Sequence, residues 1–307
     1  MSDCYELLII GGGPAGLTAA IYAARAGLRF ALVELDGWGG GQISAALQVN
    51  NYPGLPGITG AELGERIRQQ ALDLGTEILC GQVSRITKEN GIFSVETEEG
   101  ENFQAKAVIT ALGASPAKLG VPGEEKAGVS YCAVCDGEFY AGKPVAVIGG
   151  GDAGVEDALY LSNICPQVTL LLRRDVFRAA QSRVKLLEER SNVTILRKTQ
   201  AVELQGEGRV TGIRTVSQGT EGAFSCQGVF IAVGTLPATE CLAGFPGLLD
   251  ENGYVLAGES GETAIPGLFA AGDARKKPLH QVTTAVADGA NAATSAAAYL
   301  QNLLTEE

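Results

Sequence analysis

A glycine-rich motif occurs twice in this chain, and each copy directly follows a short apolar run. Residues 11–16 are Gly-Gly-Gly-Pro-Ala-Gly and residues 149–154 are Gly-Gly-Gly-Asp-Ala-Gly, an offset of 138 residues (149 − 11). The flanking residues predict strands over 7–10 and 145–148, helices over 17–26 and 155–163, and second strands over 30–33 and 168–172. Strand, glycine turn, helix and strand form a βαβ unit. The sequence therefore predicts an α/β fold with two Rossmann-like dinucleotide-binding domains.

The glycines of each motif have separate expected roles. In the first motif, Gly11 makes the tight turn, Gly13 lets a pyrophosphate approach the backbone, and Gly16 lets helix and strand pack closely. The N-terminus of the following helix adds N–H groups and a partial positive charge. The candidate cofactor-binding residues are Gly11, Gly13, Pro14, Ala15 and Gly16 in the first motif, and Gly149, Gly151, Asp152, Ala153 and Gly154 in the second. Two structural turns without a ligand are the alternative, which the strand and helix around each motif disfavour.

The residue that ends the second strand distinguishes the two units. Glu34 lies 23 positions after the first glycine of its motif (34 − 11), and the equivalent position in the second unit (149 + 23) holds Leu172. A carboxylate there accepts hydrogen bonds from ribose hydroxyls and repels a 2′-phosphate. After Leu172 come Arg173, Arg174 and Arg178, whose guanidinium groups suit a 2′-phosphate; a solvated loop is the alternative for them. The first unit is therefore predicted to bind FAD and the second NADPH.

Two later segments complete the first domain. Residues 266–273 predict a short strand that ends in Gly272 and Asp273, where the acid is placed to bond the ribityl chain or pyrophosphate region of a flavin. An alanine-rich helix is predicted over 284–300. The second unit therefore interrupts the first domain.

Turn residues near 121–123 and 244–247 mark the domain boundaries. We expect a discontinuous FAD-binding domain of residues 1–117 and 245–307, and an inserted NADPH-binding domain of residues 118–244 that carries a cysteine pair. Two strands with glycine ends, over 108–113 and 229–234, are expected where the chain passes between the domains. The first of them ends in Gly113, a further candidate cofactor-binding residue.

Charge and composition exclude several classes of function. The chain has 23 Lys and Arg against 35 Asp and Glu, a net charge of −12, which disfavours binding to nucleic acid or to anionic membranes. Its apolar runs are too short to cross a bilayer, and an acidic N-terminus at residues 1–6 gives no sign of a signal peptide. The expected location is the cytoplasm. With His280 as the one histidine, no multi-His metal site or hydrolase triad is expected.

Cys132 and Cys135 form a C-x-x-C pair that is followed by Asp136. Cysteines at this spacing fit on one helical turn and close a small disulfide ring, and a neighbouring acid can exchange a proton with a departing thiolate. The alternatives are a zinc site, which usually needs a second pair, and inert core packing. The remaining cysteines stand alone and are interpreted as small buried apolar residues: Cys4, Cys80, Cys165, Cys226 and Cys241.

The chain resembles the low-molecular-weight thioredoxin reductases along essentially its whole length. The matching segments are residues 11–16, Gly40-Gly41-Gln42, Asn51-Tyr52-Pro53-Gly54, 132–137, 149–154, 173–179 and Gly272-Asp273-Ala274. The resemblance implies a homodimer in which the outer segments bind FAD and residues near 118–244 bind NADPH. It adds Gly41, Gln42 and Asn51 to the candidate cofactor-binding residues, and it places Gln281 beside the flavin.

The resemblance also implies a division of labour between the cysteines. The inserted domain rotates, so that in one orientation Cys135 faces the flavin. In the other orientation the nicotinamide faces the flavin, while Cys132 is free to attack the disulfide of thioredoxin. Asp136 serves as the acid. The implied enzyme is a flavin-dependent thioredoxin-disulfide reductase that carries electrons from NADPH through FAD and the cysteine pair to thioredoxin.

Three residues depart from the usual pattern of this family. Leu172 replaces a histidine beside the arginine pair, His280 replaces an arginine before the glutamine, and Val134 replaces a threonine between the cysteines. Some relatives have lost NADPH use and take electrons from ferredoxin, which is the alternative donor. A flavin-bearing sensor has no need of a placed acid at Asp136, and a ferredoxin–NADP reductase has no need of a C-x-x-C pair.

Overall fold

The computed structural model describes residues 4–35, 39–46 and 48–306. Residues 1–3 of the acidic N-terminal segment lie outside the described residues. The strands are β1 (Tyr5–Ile10), β2 (Phe30–Glu34), β3 (Ile78–Cys80), β4 (Val83–Glu89), β5 (Ile92–Thr97), β6 (Asn102–Thr110), β7 (Ala114–Pro116), β8 (Val129–Ser130), β9 (Val145–Ile148), β10 (Val168–Leu171), β11 (Val193–Leu196), β12 (Thr199–Gln205), β13 (Gly212–Ser217), β14 (Thr220–Ser225), β15 (Gly228–Ile231), β16 (Thr235–Pro237) and β17 (Leu268–Ala270). The helices are α1 (Pro14–Arg25), α2 (Gly60–Asp73), α3 (Ala133–Asp136), α4 (Asp152–Ser162), α5 (Gln181–Glu188) and α6 (Val282–Glu306).

The chain divides into two compact units. The first comprises residues 1–115 and 236–307, and the second comprises residues 116–235. The sequence predicted residues 118–244 for the second unit, and the larger difference from the structure is at its C-terminal end, residue 235 instead of 244. Residues near 244 belong with the first unit because Cys241 and Leu242 are buried in that unit's core, where Phe245 also packs.

The first unit contains a sheet in the order β3-β2-β1-β6-β5-β4, with β17 paired to β6. Strand β6 pairs with β1 along one edge, and its other edge is long enough for two strands, because residues 102–105 pair with β5 and residues 108–110 pair with β17. Strands β1, β2, β3, β6 and β17 run parallel, whereas β4 and β5 form an antiparallel hairpin. Helices α1 and α6 pack together on one face of the sheet.

The second unit repeats this plan on a smaller scale. Its parallel sheet has the order β11-β10-β9-β15-β8, and a separate antiparallel sheet has the order β12-β13-β14. Strands β9, β10 and β15 are buried along their whole length, as expected for strands covered on both faces. The predicted α/β class with two Rossmann-like units is therefore confirmed.

Each motif helix begins earlier than the sequence predicted. Helix α1 starts at Pro14 rather than residue 17, since proline has the fixed φ that suits the first helical position. Helix α4 starts at Asp152 rather than residue 155, and an acid in the first turn favours a helix N-terminus. Helix α6 also extends beyond the predicted 284–300, from Val282 to Glu306.

The chain crosses the boundary between the units within β7 and again within β16. The sequence placed the passage in strands ending at Gly113 and Gly234, but β6 ends at Thr110 and β15 ends at Ile231. Gly113 therefore lies between two strands. Its carbonyl accepts a hydrogen bond from the Ala238 N–H at 3.1 Å.

Candidate functional site

The first glycine loop joins β1 to α1 and leaves space beside its backbone. Gly11 has φ +104°, a conformation that favours glycine, and its N–H donates to the Val33 carbonyl at 2.8 Å. A Cβ added to Gly16 would lie 1.8 Å from the Gly11 carbonyl oxygen, whereas one added to Gly13 would have no atom within 4 Å. Since Gly13 precedes a helix with no side-chain cap, this loop has the space and the donors that a pyrophosphate needs.

Three further predicted residues lie beside this loop. A Cβ added to Gly41 would lie 3.1 Å from the Gly13 Cα, and one added to Gly272 would lie 2.8 Å from the Ala15 Cβ. Glu34 ends β2, and its Oε2 accepts a hydrogen bond from the Gly12 N–H. The fold therefore brings together the glycine loop, the Gly40-Gly41-Gln42 segment, the acid of β2 and the Gly272-Asp273 turn.

Two amide side chains that the resemblance places in the flavin site also meet. The Asn51 Nδ2 donates to the Gln281 Oε1 at 2.9 Å, and the Gln42 Nε2 donates to the Ala114 carbonyl. The His280 ring, next to Gln281, stacks on Tyr254 with the ring centres 5.7 Å apart.

A buried ion network holds the Gly272-Asp273 turn, and sequence reasoning missed it. Asp288 of α6 accepts the Gly272 N–H at 3.1 Å and pairs with Arg275 at 2.7 Å and Lys277 at 3.0 Å. Lys277 in turn pairs with Asp273 Oδ1 at 3.0 Å. The signal lay in the opposite charges of the cations Arg275 and Lys277 and the acid Asp288, but spacing alone does not show that a loop and a helix meet.

The second glycine loop has the same geometry between β9 and α4. The Gly149 N–H donates to the Leu171 carbonyl at 3.1 Å, and a Cβ added to Gly154 would lie 2.4 Å from the Gly149 carbonyl oxygen. Gly151 again has no atom within 4 Å of an added Cβ, and α4 has no side-chain cap. Asp152 faces the next segment, because its Oδ1 accepts the Ala180 N–H at 2.9 Å, and Ala153 is exposed.

The three predicted phosphate-binding arginines follow β10 and are exposed. Arg173, Arg174 and Arg178 form no ion pair or side-chain hydrogen bond with any residue that the structure describes. The Arg178 N–H donates to the Gly150 carbonyl at 2.8 Å, so the arginine segment is tied to the glycine loop. Leu172 itself is buried and presents no polar group.

Cys132 and Cys135 are joined by a disulfide in the second unit, with their Cα atoms 5.3 Å apart. Cys132 is the N-cap of α3, and its Sγ accepts a hydrogen bond from the Cys135 N–H at 3.2 Å. Both cysteines are half-buried, and between them Val134 is exposed. The predicted small disulfide ring is present, with Cys135 inside the helical turn and Cys132 at its N-cap.

Asp136 follows directly, and its carboxylate contacts a residue that sequence reasoning missed. The Ser130 hydroxyl donates to the Asp136 Oδ2 at 2.7 Å. The same hydroxyl accepts the Cys132 N–H at 3.1 Å. The acid is therefore tied to the backbone of the first cysteine, an arrangement suited to thiol–disulfide exchange with a proton carrier alongside.

Residues 5–289 match the family model described as pyridine nucleotide-disulphide oxidoreductase. The chain belongs to this family.

Named members of the pyridine nucleotide-disulphide oxidoreductase family are similar to this chain over nearly its full length. A thioredoxin reductase of Listeria monocytogenes is 39% identical over 97% of this chain and 95% of its own, and one of Bacillus subtilis is 39% identical over 97% and 96%. The crystal structure of thioredoxin reductase from Streptococcus pyogenes superposes with a TM-score of 0.89 at 38% identity, covering 98% of this chain and 100% of that chain. The flavin oxidoreductase assignment made from the sequence is confirmed at the level of this family.

The other cysteines of this oxidoreductase divide into two groups. Cys165, Cys226 and Cys241 are buried as predicted, and burial raises the pKa of the Cys226 thiol to about 12 and that of Cys241 to about 11. The prediction was wrong for Cys80, which is exposed because β3 lies at the edge of the sheet, and Cys4 is half-buried.

Two further features of the described segments concern metals and membranes. Across these segments, no group of three or more His, Cys, Asp and Glu side chains is arranged to hold a metal ion. Among the described helices, none combines the length and the hydropathy needed to traverse a bilayer.

Proposed function

We propose that this oxidoreductase is a thioredoxin-disulfide reductase that takes electrons from NADPH through FAD to the Cys132–Cys135 disulfide. The observation that carries the proposal is the half-buried disulfide at the start of α3, with Asp136 beside it, in a chain that also has two open glycine loops. The thioredoxin reductases of Listeria monocytogenes and Bacillus subtilis, each 39% identical, support thioredoxin as the substrate.

FAD is assigned to the first unit and NADPH to the second. The first loop has space at Gly13 and an acid at Glu34 for ribose hydroxyls, whereas the second has space at Gly151 and exposed guanidinium groups at Arg173 and Arg174. A bound flavin supplies the means to accept a hydride from a nicotinamide and pass two electrons to a disulfide.

The cysteines then perform a balanced exchange. The Cys132 thiolate attacks one sulfur of the thioredoxin disulfide, forming a mixed disulfide and releasing the other thioredoxin sulfur as a thiolate. The Cys135 thiolate attacks Cys132 Sγ, reforming the enzyme disulfide and releasing the second thioredoxin sulfur. Asp136 carries protons between the enzyme thiols and the leaving thiolates, so thioredoxin gains two electrons and two protons.

Ferredoxin is the second candidate electron donor. The buried, apolar Leu172 favours it, because this side chain gives no polar contact near the segment assigned to the 2′-phosphate. In either case we propose a homodimer, which sedimentation of the purified protein tests.

The deciding experiment is anaerobic stopped-flow of the FAD-loaded enzyme with NADPH, NADH and reduced ferredoxin, followed by thioredoxin turnover. We expect rapid loss of the oxidised flavin absorbance with NADPH and a slower loss with NADH. Cys80→Ser is the matched control, since that thiol lies outside the exchange pair. Reduction by ferredoxin with no response to NADPH establishes the second donor, and reduction without thioredoxin turnover overturns the proposed substrate.

A further inference from the structure

Ser130 ends β8 two residues before the disulfide, and only 4% of its surface is exposed. Its hydroxyl lies at the centre of three contacts within the second unit. It donates to Asp136 Oδ2 at 2.7 Å, accepts the Cys132 N–H at 3.1 Å, and lies 3.3 Å from the Cys132 carbonyl oxygen. A buried hydroxyl that is bonded to the first cysteine and to the acid after the pair is in a position to control their geometry.

The single hydroxyl proton of Ser130 has two acceptors within reach. The Asp136 carboxylate is the stronger, because an ionised acceptor forms the shorter and stronger hydrogen bond, and the distances follow that order. The Cys132 carbonyl is already engaged, since it accepts the Asp136 N–H at 3.1 Å. The hydroxyl therefore joins the carboxylate to the backbone N–H of Cys132.

We infer that Ser130 is a positioning residue for thiol–disulfide exchange, acting through Asp136. By occupying Oδ2, it fixes the orientation of the carboxyl group and leaves Oδ1 to exchange protons with a thiolate. Oδ2 accepts this hydrogen bond whether Oδ1 is protonated or not, so the orientation survives the proton transfer. The inference rests on the role proposed above for Asp136.

Dithiothreitol is a probe that needs neither NADPH nor thioredoxin. One of its thiolates attacks Cys132 Sγ, the bond to Cys135 breaks, and the Cys135 thiolate leaves and takes a proton from Asp136. The second dithiothreitol sulfur attacks the mixed disulfide, expels the Cys132 thiolate and closes an oxidised ring. Both cysteines gain an electron and a proton, both supplied by the probe, and Asp136 is reprotonated by the probe's thiols.

The experiment measures the rate of disulfide reduction by dithiothreitol in the FAD-loaded enzyme, using an alkylation quench and mass spectrometry. Ser130→Thr and Ser130→Val have nearly the same shape and differ in the hydroxyl, so packing strain acts on both. We expect Ser130→Val and Ser130→Ala to be slowed about tenfold, Ser130→Thr to stay within about twofold of wild type, and Asp136→Asn to be slowed about a hundredfold. Ser162→Ala removes another buried hydroxyl of the same unit and is expected to react at the wild-type rate.

A double-mutant cycle separates positioning from a general structural role. In the Asp136→Asn background, Ser130→Val is expected to change the rate by less than about twofold. Equal rates for the Thr and Val variants, or a full Ser130→Val effect without the Asp136 carboxylate, would overturn the inference. Dithiothreitol reduces the disulfide without NADPH or thioredoxin. The rates of disulfide reduction therefore test the inference even if the proposed function is wrong.

Discussion

Leu172 contacts Gly150 in the second unit at the place where Glu34 contacts Gly12 in the first. A Cβ added to Gly150 would lie 2.7 Å from Leu172 Cδ2, and one added to Gly12 would lie 2.9 Å from Glu34 Oε2. Glu34 and Leu172 therefore take corresponding positions beside the middle glycine of their loops. An acid has been replaced by an apolar group at the position that discriminates against a 2′-phosphate.

The first prediction concerns the arginines that follow Leu172. Replacing Arg173 and Arg174 together with alanine is expected to weaken NADPH binding by on the order of a hundredfold or more, since each charged hydrogen bond is worth roughly 1.5–3 kcal/mol. NADH binding is expected to change little, because that nucleotide lacks the 2′-phosphate. Fluorescence titration of both nucleotides checks this, with Arg190→Ala, another exposed arginine of the second unit, as the control. An equal loss for the two nucleotides would contradict the assignment.

Glu34→Ala is expected to weaken FAD binding. The Glu34 carboxylate accepts a hydrogen bond from the Gly12 N–H and so lies beside the glycine loop. Its loss removes an acceptor for the ribose hydroxyls that is worth roughly 1.5–3 kcal/mol, or about 10- to 150-fold in the dissociation constant. Titration of the flavin-free protein with FAD measures the change. Glu89→Ala alters an exposed acid of the same unit and serves as the control. Unchanged FAD affinity would place the ribose contact elsewhere.

The two cysteines are expected to give different phenotypes. Cys135→Ser stops electron flow from reduced flavin to the disulfide, whereas Cys132→Ser leaves a Cys135 thiolate that can give a long-wavelength charge-transfer band but cannot reduce thioredoxin. Absorbance spectra and thioredoxin turnover distinguish the two. Cys241→Ser is the control, because that buried thiol has a raised pKa and no place in the exchange. Full turnover in either pair variant would refute the mechanism.

Asp157 of α4 is expected to make the second unit less stable at high pH. Burial is the larger cause and the charge of Glu156 the smaller cause that raise the pKa of Asp157 from 3.8 to about 7. An acid whose folded pKa lies above its unfolded value favours folding at low pH, and that contribution is lost as the pH rises from about 4 to 7.

Between about pH 5.5 and 8, wild type is expected to lose on the order of 2 kcal/mol relative to Asp157→Asn. Amide hydrogen exchange of the buried strand β9 reports the opening free energy of this unit. Glu207→Gln changes an exposed acid of the same unit and controls for net charge. A constant difference between Asp157→Asn and wild type across this range would show that Asp157 does not titrate as described.

The repeated fold could be predicted from the sequence because its determinants are local. Each glycine loop is fixed by the residues of one turn, and the close approach of Gly16 to Gly11 follows from their spacing. The cysteine pair is equally local, since Cys132 caps the helix that contains Cys135.

The contacts that complete the candidate site arise from distant segments and could not be predicted in this way. Asn51 bonds Gln281 across 230 positions, and Asp288 reaches back to Gly272 from another element. The Ser130–Asp136 bond is closer in sequence, but it joins the end of a strand to a helix, and a spacing of six residues does not show that the two elements meet. The second domain boundary was predicted near residues 244–247, although Cys241 already packs in the core of the first unit. Turn residues mark a break in the pattern, but they do not show which core the neighbouring side chains join.

The insertion of the second unit into the first also sets the order in which the two units are completed during synthesis. A nascent polypeptide that ends at residue 235 contains all of the second unit, yet it lacks β17 and α6 of the first. Those late elements are integral, since β17 pairs with β6 and a Cβ added to Gly289 of α6 would lie 2.1 Å from the Ala15 carbonyl oxygen. Domains fold as units during synthesis. The unit that begins second along the chain is therefore the first that the ribosome delivers complete.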